Sequence, residues 1–315
     1  MLTDAPRGRA GTTSRTSPSH GRSVALVVVG GVMLGSAGTA AALGPDAATP
    51  AGIGGLRQLA GAVALTLLMP IVGGRWSRIP SLLRRPTVWV MGTCSAVFQP
   101  LFFGAAGKAG VAVTTLLAVG SIPVFAGLVG WVALRHKPSR VWVVATAVAV
   151  TGLALRSWGE LQVGSPIGIV MALTAGFSVS CYLTASKIAV EQGTHPVELP
   201  AAAYLVGSAL LAPITLSQPL GWALTPRGFA VITYLGVVTM ALGNVLPIVG
   251  MRSMGPGPAS ILMLTDPLTA TALGVLLLDE TLTPLAAAGV GLVVIGLALQ
   301  ASDIARTPAV CAPVV

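Results

Sequence analysis

The chain has 315 residues, of which 54% are hydrophobic and 9% charged, with a mean hydropathy of +0.87. Soluble domains carry about a quarter charged residues, so this composition excludes a water-soluble globular protein and leaves a multi-span membrane protein surrounded by lipid bilayer. The net charge of +9 would point to nucleic acid in a soluble chain, but the basic residues fall almost entirely in loops and tails, where they set topology and imply no nucleic-acid partner.

Met1 to Arg22 is rich in Ser, Thr, Gly and Arg without apolar periodicity, and reads as a disordered, basic cytoplasmic tail. The apolar run that follows is longer than a typical signal-peptide core and has a counterpart later in the chain, so it is expected to be retained as a helix. Ten runs are each long enough to cross a hydrocarbon core roughly 30 Å thick. They are Ser23 to Leu43, Ala51 to Val72, Thr87 to Ala106, Val111 to Leu134, Arg140 to Arg156, Ser165 to Ile188, Val197 to Ser217, Gly228 to Met251, Pro258 to Leu278 and Leu285 to Ala301. The fold class is therefore all-α, with a short cytoplasmic tail over 302–315.

The runs divide into a repeat over 23–156 and a second over 165–301. Ser121 to Leu155 aligns with Thr265 to Leu299 at an offset of 144 residues without a gap, placing Pro123 on Pro267, Gly130 on Gly274, and Gly152 to Leu155 on Gly296 to Leu299. Five spans per half is an odd number, so the second half enters the membrane inverted, the plan of secondary transporters. Charge agrees. With the N-terminus in the cytoplasm, Arg75, Arg78, Arg84, Arg85, Arg135, Lys137, Arg140, Lys187 and Arg252 fall inside, while Lys108, Arg156 and Arg227 fall outside. Arg135-His136-Lys137, inside, aligns with Asp279-Glu280-Thr281, outside.

Lipid gives no hydrophobic drive for helix association, so close approach depends on small residues. Gly31, Gly35 and Thr39 form such a stripe in span one, and Ala172, Gly176, Ser180 and Thr184 form another in span six. Each is a packing seam or the wall of a substrate path. A homodimer is possible, since such stripes serve within or between chains. Pro123 and Pro267 lie inside spans four and nine, and Pro100 and Pro247 inside spans three and eight; all four are expected to interrupt their spans as paired kinks.

Asp266 is the sharpest polar candidate. An ionised carboxylate at mid-span costs roughly 3 kcal/mol, so it binds a cationic substrate or a proton, pairs with Arg57, or is a structural hydrogen-bonding acid. Arg57 either turns inward or snorkels to the outer interface. The amides Gln99 and Asn244, with Thr265, either bond other helices or substrate. Trp89, Trp131, Tyr204 and Tyr234 read as interfacial anchors, whereas Tyr182 lies far enough inside span six to line a cavity. Cys94, Cys181 and Cys311 have no metal or redox spacing and read as incidental.

No phosphate loop, zinc motif or catalytic constellation occurs, and His20, His136 and His195 lie in tails or loops. No cofactor, metal or enzymatic activity is expected. The acid and mid-helix proline at Asp266-Pro267, the loop acid Glu280 and the glycine-rich last helix ending at Gly296 to Leu299 together resemble the ten-helix drug/metabolite transporter superfamily, specifically its EamA-type permeases. The first half departs from that pattern where Arg135-His136-Lys137 replaces a loop acid. The resemblance implies a central cavity lined mainly by helices one, three, four, six, eight and nine, alternating access, and export of a small metabolite, amino acid or amphipathic compound from the cytoplasm across the plasma membrane. Proton antiport through Asp266 and uncoupled facilitation are both open.

Overall fold

A computed structural model describes residues 20–135, 138–158, 165–277 and 283–306. Most of the basic N-terminal tail, His136, Lys137, Asp279, Glu280, Thr281 and the residues after 306, Cys311 among them, lie outside the described residues. Ten helices have the length and composition to cross a membrane: Gly21–Ala42, Pro50–Leu68, Pro86–Ala109, Val113–Leu134, Arg140–Ser157, Pro166–Glu191, Glu198–Leu216, Pro226–Ser253, Pro256–Leu277 and Pro284–Arg306. They are called spans one to ten below.

Six of these spans start on proline, which sets the helical φ where the missing amide has no intrahelical partner. Side-chain caps support the starts. Thr49 Oγ1 accepts from the Gly52 amide at 3.1 Å, Ser139 Oγ from Trp142 at 3.0 Å, Thr225 Oγ1 from Gly228 at 3.1 Å, and Thr283 Oγ1 from Ala286 at 3.1 Å. Span ten runs to Arg306 rather than stopping at Ala301, because Gln300 and Ile304 are still buried and Ser139 donates to Asp303 at 2.9 Å. The start of the expected C-terminal tail is thus helix.

Many large aliphatic side chains face outward while small residues line close helix contacts, as a lipid-solvated bundle favours. Leu67, Val132, Ile167, Leu216 and Leu276 are well exposed, while Ala172, Ala175, Ala201, Ala202 and Ala203 are sealed. Spans one and six hold the centre: span one packs on eight and nine, span six on three and four. Span two packs on seven and five on ten, as an exchange of the two five-helix halves demands. Spans five and ten touch through glycine backbones, where a Cβ on Gly152 would lie 2.6 Å from the Gly289 carbonyl. The main apolar cluster includes Met91, Tyr182, Tyr204, Met240, Ile248 and Leu262 and joins spans one, two, three, six, seven, eight, nine and ten.

Three of the four prolines lie in helix interiors: Pro100 and Pro123 inside unbroken helices, and Pro247 inside the helix Gly243–Gly250. Pro267 does not. Span nine stops at Leu262 and restarts at Thr265, so Pro267 falls in the first turn of a new half-helix, Thr265–Leu277. The Met263 carbonyl accepts the Asp266 amide at 2.9 Å across the break. Span eight is also irregular, with a π-helical segment over Leu235–Leu242 before Gly243–Gly250.

Candidate functional site

The site is built around the break in span nine. Asp266 sits in the first turn of its second half, where the exposed amides and the dipole of a helix start favour a carboxylate. Span one seats on this turn. A Cβ on Gly31 would collide with Thr265 Oγ1, and one on Gly35 with the Asp266 carbonyl oxygen. In the other half, a Cβ on Gly176 would collide with Ser121 Oγ and the Ala118 carbonyl of span four, while Ala172 is sealed against the same seam. These stripes are consumed as intrachain seams, so they leave no face for a second copy.

Arg57 turns inward rather than snorkelling. Its Nε is sealed from solvent and has no hydrogen-bond partner. It lies within electrostatic reach of Tyr204 and of Asp266. No direct ion pair joins Arg57 to Asp266, and both side chains remain partly accessible although they lie near the middle of their spans. A cation and an acid held apart in a protein interior are each costly there, because neither is neutralised by direct contact with the other.

Tyr204 is not an interfacial anchor. It is 1% exposed and stacks on Tyr182 with ring centroids 6.3 Å apart, and the Tyr182 hydroxyl donates to the Tyr204 hydroxyl at 3.2 Å. Its neighbours Ala201, Ala202 and Ala203 leave room for a ring only in the bundle interior, a cue that lies in the sequence. Tyr234, Trp89 and Trp131 are half-exposed, as membrane-belt residues are.

The amides separate into two roles. Asn244 spends its donor on its own helix, reaching the Thr239 carbonyl at 3.3 Å and the Met240 carbonyl at 3.1 Å in the π-helical segment. Thr265 is likewise structural: its hydroxyl lies 3.2 Å from the Val28 carbonyl and 3.0 Å from the Leu262 carbonyl, pinning the break to span one. Gln99 packs on Gly54 of span two and keeps an unpartnered, sealed Oε1. Gln58, which sequence reasoning passed over beside Arg57, is fully buried, accepts from Ser95 at 3.1 Å and has an unpartnered Nε2. Cys94 and Cys181 meet within hydrogen-bonding reach in the seam between spans three and six. Among the described residues no group of three or more His, Cys, Asp or Glu side chains is arranged to hold a metal.

An inward guanidinium, a separate carboxylate on a broken helix and a buried tyrosine pair thus come together in the bundle interior. The comparisons agree with that architecture. Residues 166–301 match the EamA-like transporter family. The "Uncharacterized transporter YwfM" of Bacillus subtilis (strain 168) is 34% identical over 279 residues, covering 86% of this chain and 91% of that protein. The chain belongs to the EamA-like transporter family. It is a membrane transporter of a small-molecule substrate rather than an enzyme. A solved crystal structure, 20% identical, superposes with a TM-score of 0.76 over 90% of this chain and 99% of the other, a likeness of fold.

Proposed function

We propose that this transporter exports a small metabolite, amino acid or amphipathic organic compound by rocking its two halves about the midplane, with Asp266 as the proton-binding carboxylate. The observation that carries the reading is the pairing of Asp266, on the broken span, with Arg57 at a distance short of contact. A carboxylate near a fixed cation, with no permanent partner, exchanges a proton or a cationic solute group at low cost. Cytoplasmic termini are supported by the arginine-rich loops after spans two and four, and export across the plasma membrane is what the family resemblance suggests.

The test uses everted vesicles loaded with the protein, a broad metabolite extract and an imposed pH gradient. Wild type accumulates one solute class, whereas Asp266→Asn equilibrates the same class without concentrating it. An Asp266→Asn protein that still concentrates solute removes the carboxylate from coupling. A second reading, the uncoupled facilitator, is favoured by the helix start beneath Asp266, which suits a purely structural acid equally well; it predicts equilibration by both proteins and accumulation by neither.

A further inference from the structure

Away from the midplane, on the arginine-rich face, the connection between spans two and three meets the connection between spans six and seven. The first contributes a single turn, Trp76–Arg78, and a short helix, Ile79–Leu82, anchored by buried Leu82. The second contributes Gly193, in a left-handed turn at φ +78°, Thr194 and the first turn of span seven. Between them lies a cleft of about 280 Å³ lined by Arg78, Ser81, Arg85, Gly193, Thr194 and Glu198, with Leu82 as its floor.

The one acid in this cleft is already committed. Glu198 is 1% exposed; its Oε1 accepts the Arg75 amide at 2.8 Å and its Oε2 lies 3.6 Å from the Arg78 guanidinium. It has no oxygen to spare for a cation. Arg85 gives one N–H to Thr194 at 2.9 Å, and both arginines are exposed, so most of their donor forks point into the cleft or to solvent. Two guanidinium forks flanked by hydroxyls match the oxygen geometry of a phosphate.

Depth selects the source of that phosphate. Trp76 and Trp89, both half-exposed, bond the Thr66 carbonyl at 2.6 Å and the Leu83 carbonyl at 2.7 Å, and Ile71 and Val72 are exposed beside them. Tryptophan with exposed aliphatics marks the level of lipid headgroups, and basic pockets at that level of an anionic leaflet attract headgroup phosphates. We propose that this cleft is a binding site for the phosphate headgroup of an anionic lipid, clamped between the two halves of the transporter by Arg78 and Arg85.

The test measures lipid retention by native mass spectrometry and melting temperature for the whole protein in phosphatidylcholine nanodiscs, with and without phosphatidylglycerol, and in detergent with inorganic phosphate. Binding to both halves raises the melting temperature. Wild type retains phosphatidylglycerol, and Arg85→Gln binds it roughly five- to tenfold more weakly, while Arg84→Gln, which loses the same charge outside the cleft, binds as wild type. Stabilisation by phosphatidylglycerol alone assigns the site to lipid; stabilisation by inorganic phosphate as well, lost in Arg85→Gln, keeps the phosphate site and assigns its ligand to solution. Should Arg85→Gln misfold, Ser81→Glu puts a negative charge on the exposed lip and is expected to expel the lipid equally. Equal losses in Arg84→Gln and Arg85→Gln, or retention unchanged in both Arg85→Gln and Ser81→Glu, overturn the proposal.

Discussion

Spans four and nine descend from one pattern and carry proline at the same place, yet one is a continuous helix and the other is broken. In span four, Pro123 follows Ser121 and Ile122; the helix runs through, and Ser180 of span six bonds the Ile122 carbonyl at 3.1 Å. In span nine, Pro267 follows Thr265 and Asp266, side chains that compete for backbone groups and favour helix starts. There the chain stops, turns through Met263 and Leu264, and begins again. The proline permits an interruption in both spans, and since Ser121 and Thr265 are alike in kind, the residue that differs beside it is the acid, Asp266 against Ile122. A duplicated pattern thereby carries a broken span with a buried carboxylate on one half only.

The largest effect is expected from transplanting that chemistry. Ile122→Asp places a carboxylate against the apolar cluster rather than beside Arg57, and should cost about 3 kcal/mol, read as lost folded protein in thermal unfolding followed by size exclusion. A stable Ile122→Asp protein would show that span four tolerates the same break. Next come the seams. Gly35→Ala and Gly176→Ala each drive a methyl group into a carbonyl of the facing span, and about 1–3 kcal/mol of stability should be lost. Gly31→Ala displaces the bonded Thr265 hydroxyl and should cost a similar amount, while Gly38→Ala, with open space around it, should cost nothing.

The prolines themselves sharpen the contrast more gently. Pro123→Ala restores an interior amide and should raise the melting temperature, equivalent to about 1 kcal/mol, whereas Pro267→Ala, in a first turn whose amides need no intrahelical partner, should stay within about 0.5 kcal/mol. Equal responses would mean that the break in span nine depends on its proline after all. The smallest effect lies outside both spans. Burial holds the His195 imidazole below its ordinary 6.5, helped by Arg252 and Arg78 and opposed by Glu198 and the Val72 carbonyl. The unfolded chain therefore takes up this proton before the folded one. His195 stabilises fully above about 6.5 and progressively less as pH falls below it, and His195→Gln should flatten the acid limb of a melting-temperature profile while leaving the values at pH 8 unchanged.

The sequence by itself determined the membrane, the ten spans and the five-plus-five pattern, and it singled out Asp266 as a candidate, because apolar length, charge asymmetry and a costly mid-span carboxylate are written residue by residue. It also contained Gly31, Gly35, Ala172 and Gly176 as seams, since four-residue spacing fixes one helical face. Which helices those seams touch is a different kind of fact. Arg57 had two directions open to it until span seven put Tyr204 and span nine put Asp266 within its reach. Asn244 and Thr265 carried no sign that carbonyls of their own irregular helices would claim their donors, and Gln58 became a buried amide only when Ser95 and Gly207 closed over it. Periodicity reports the face a residue occupies; the partner that meets that face is decided by helix crossings between residues more than a hundred positions apart, and only the folded bundle contains them.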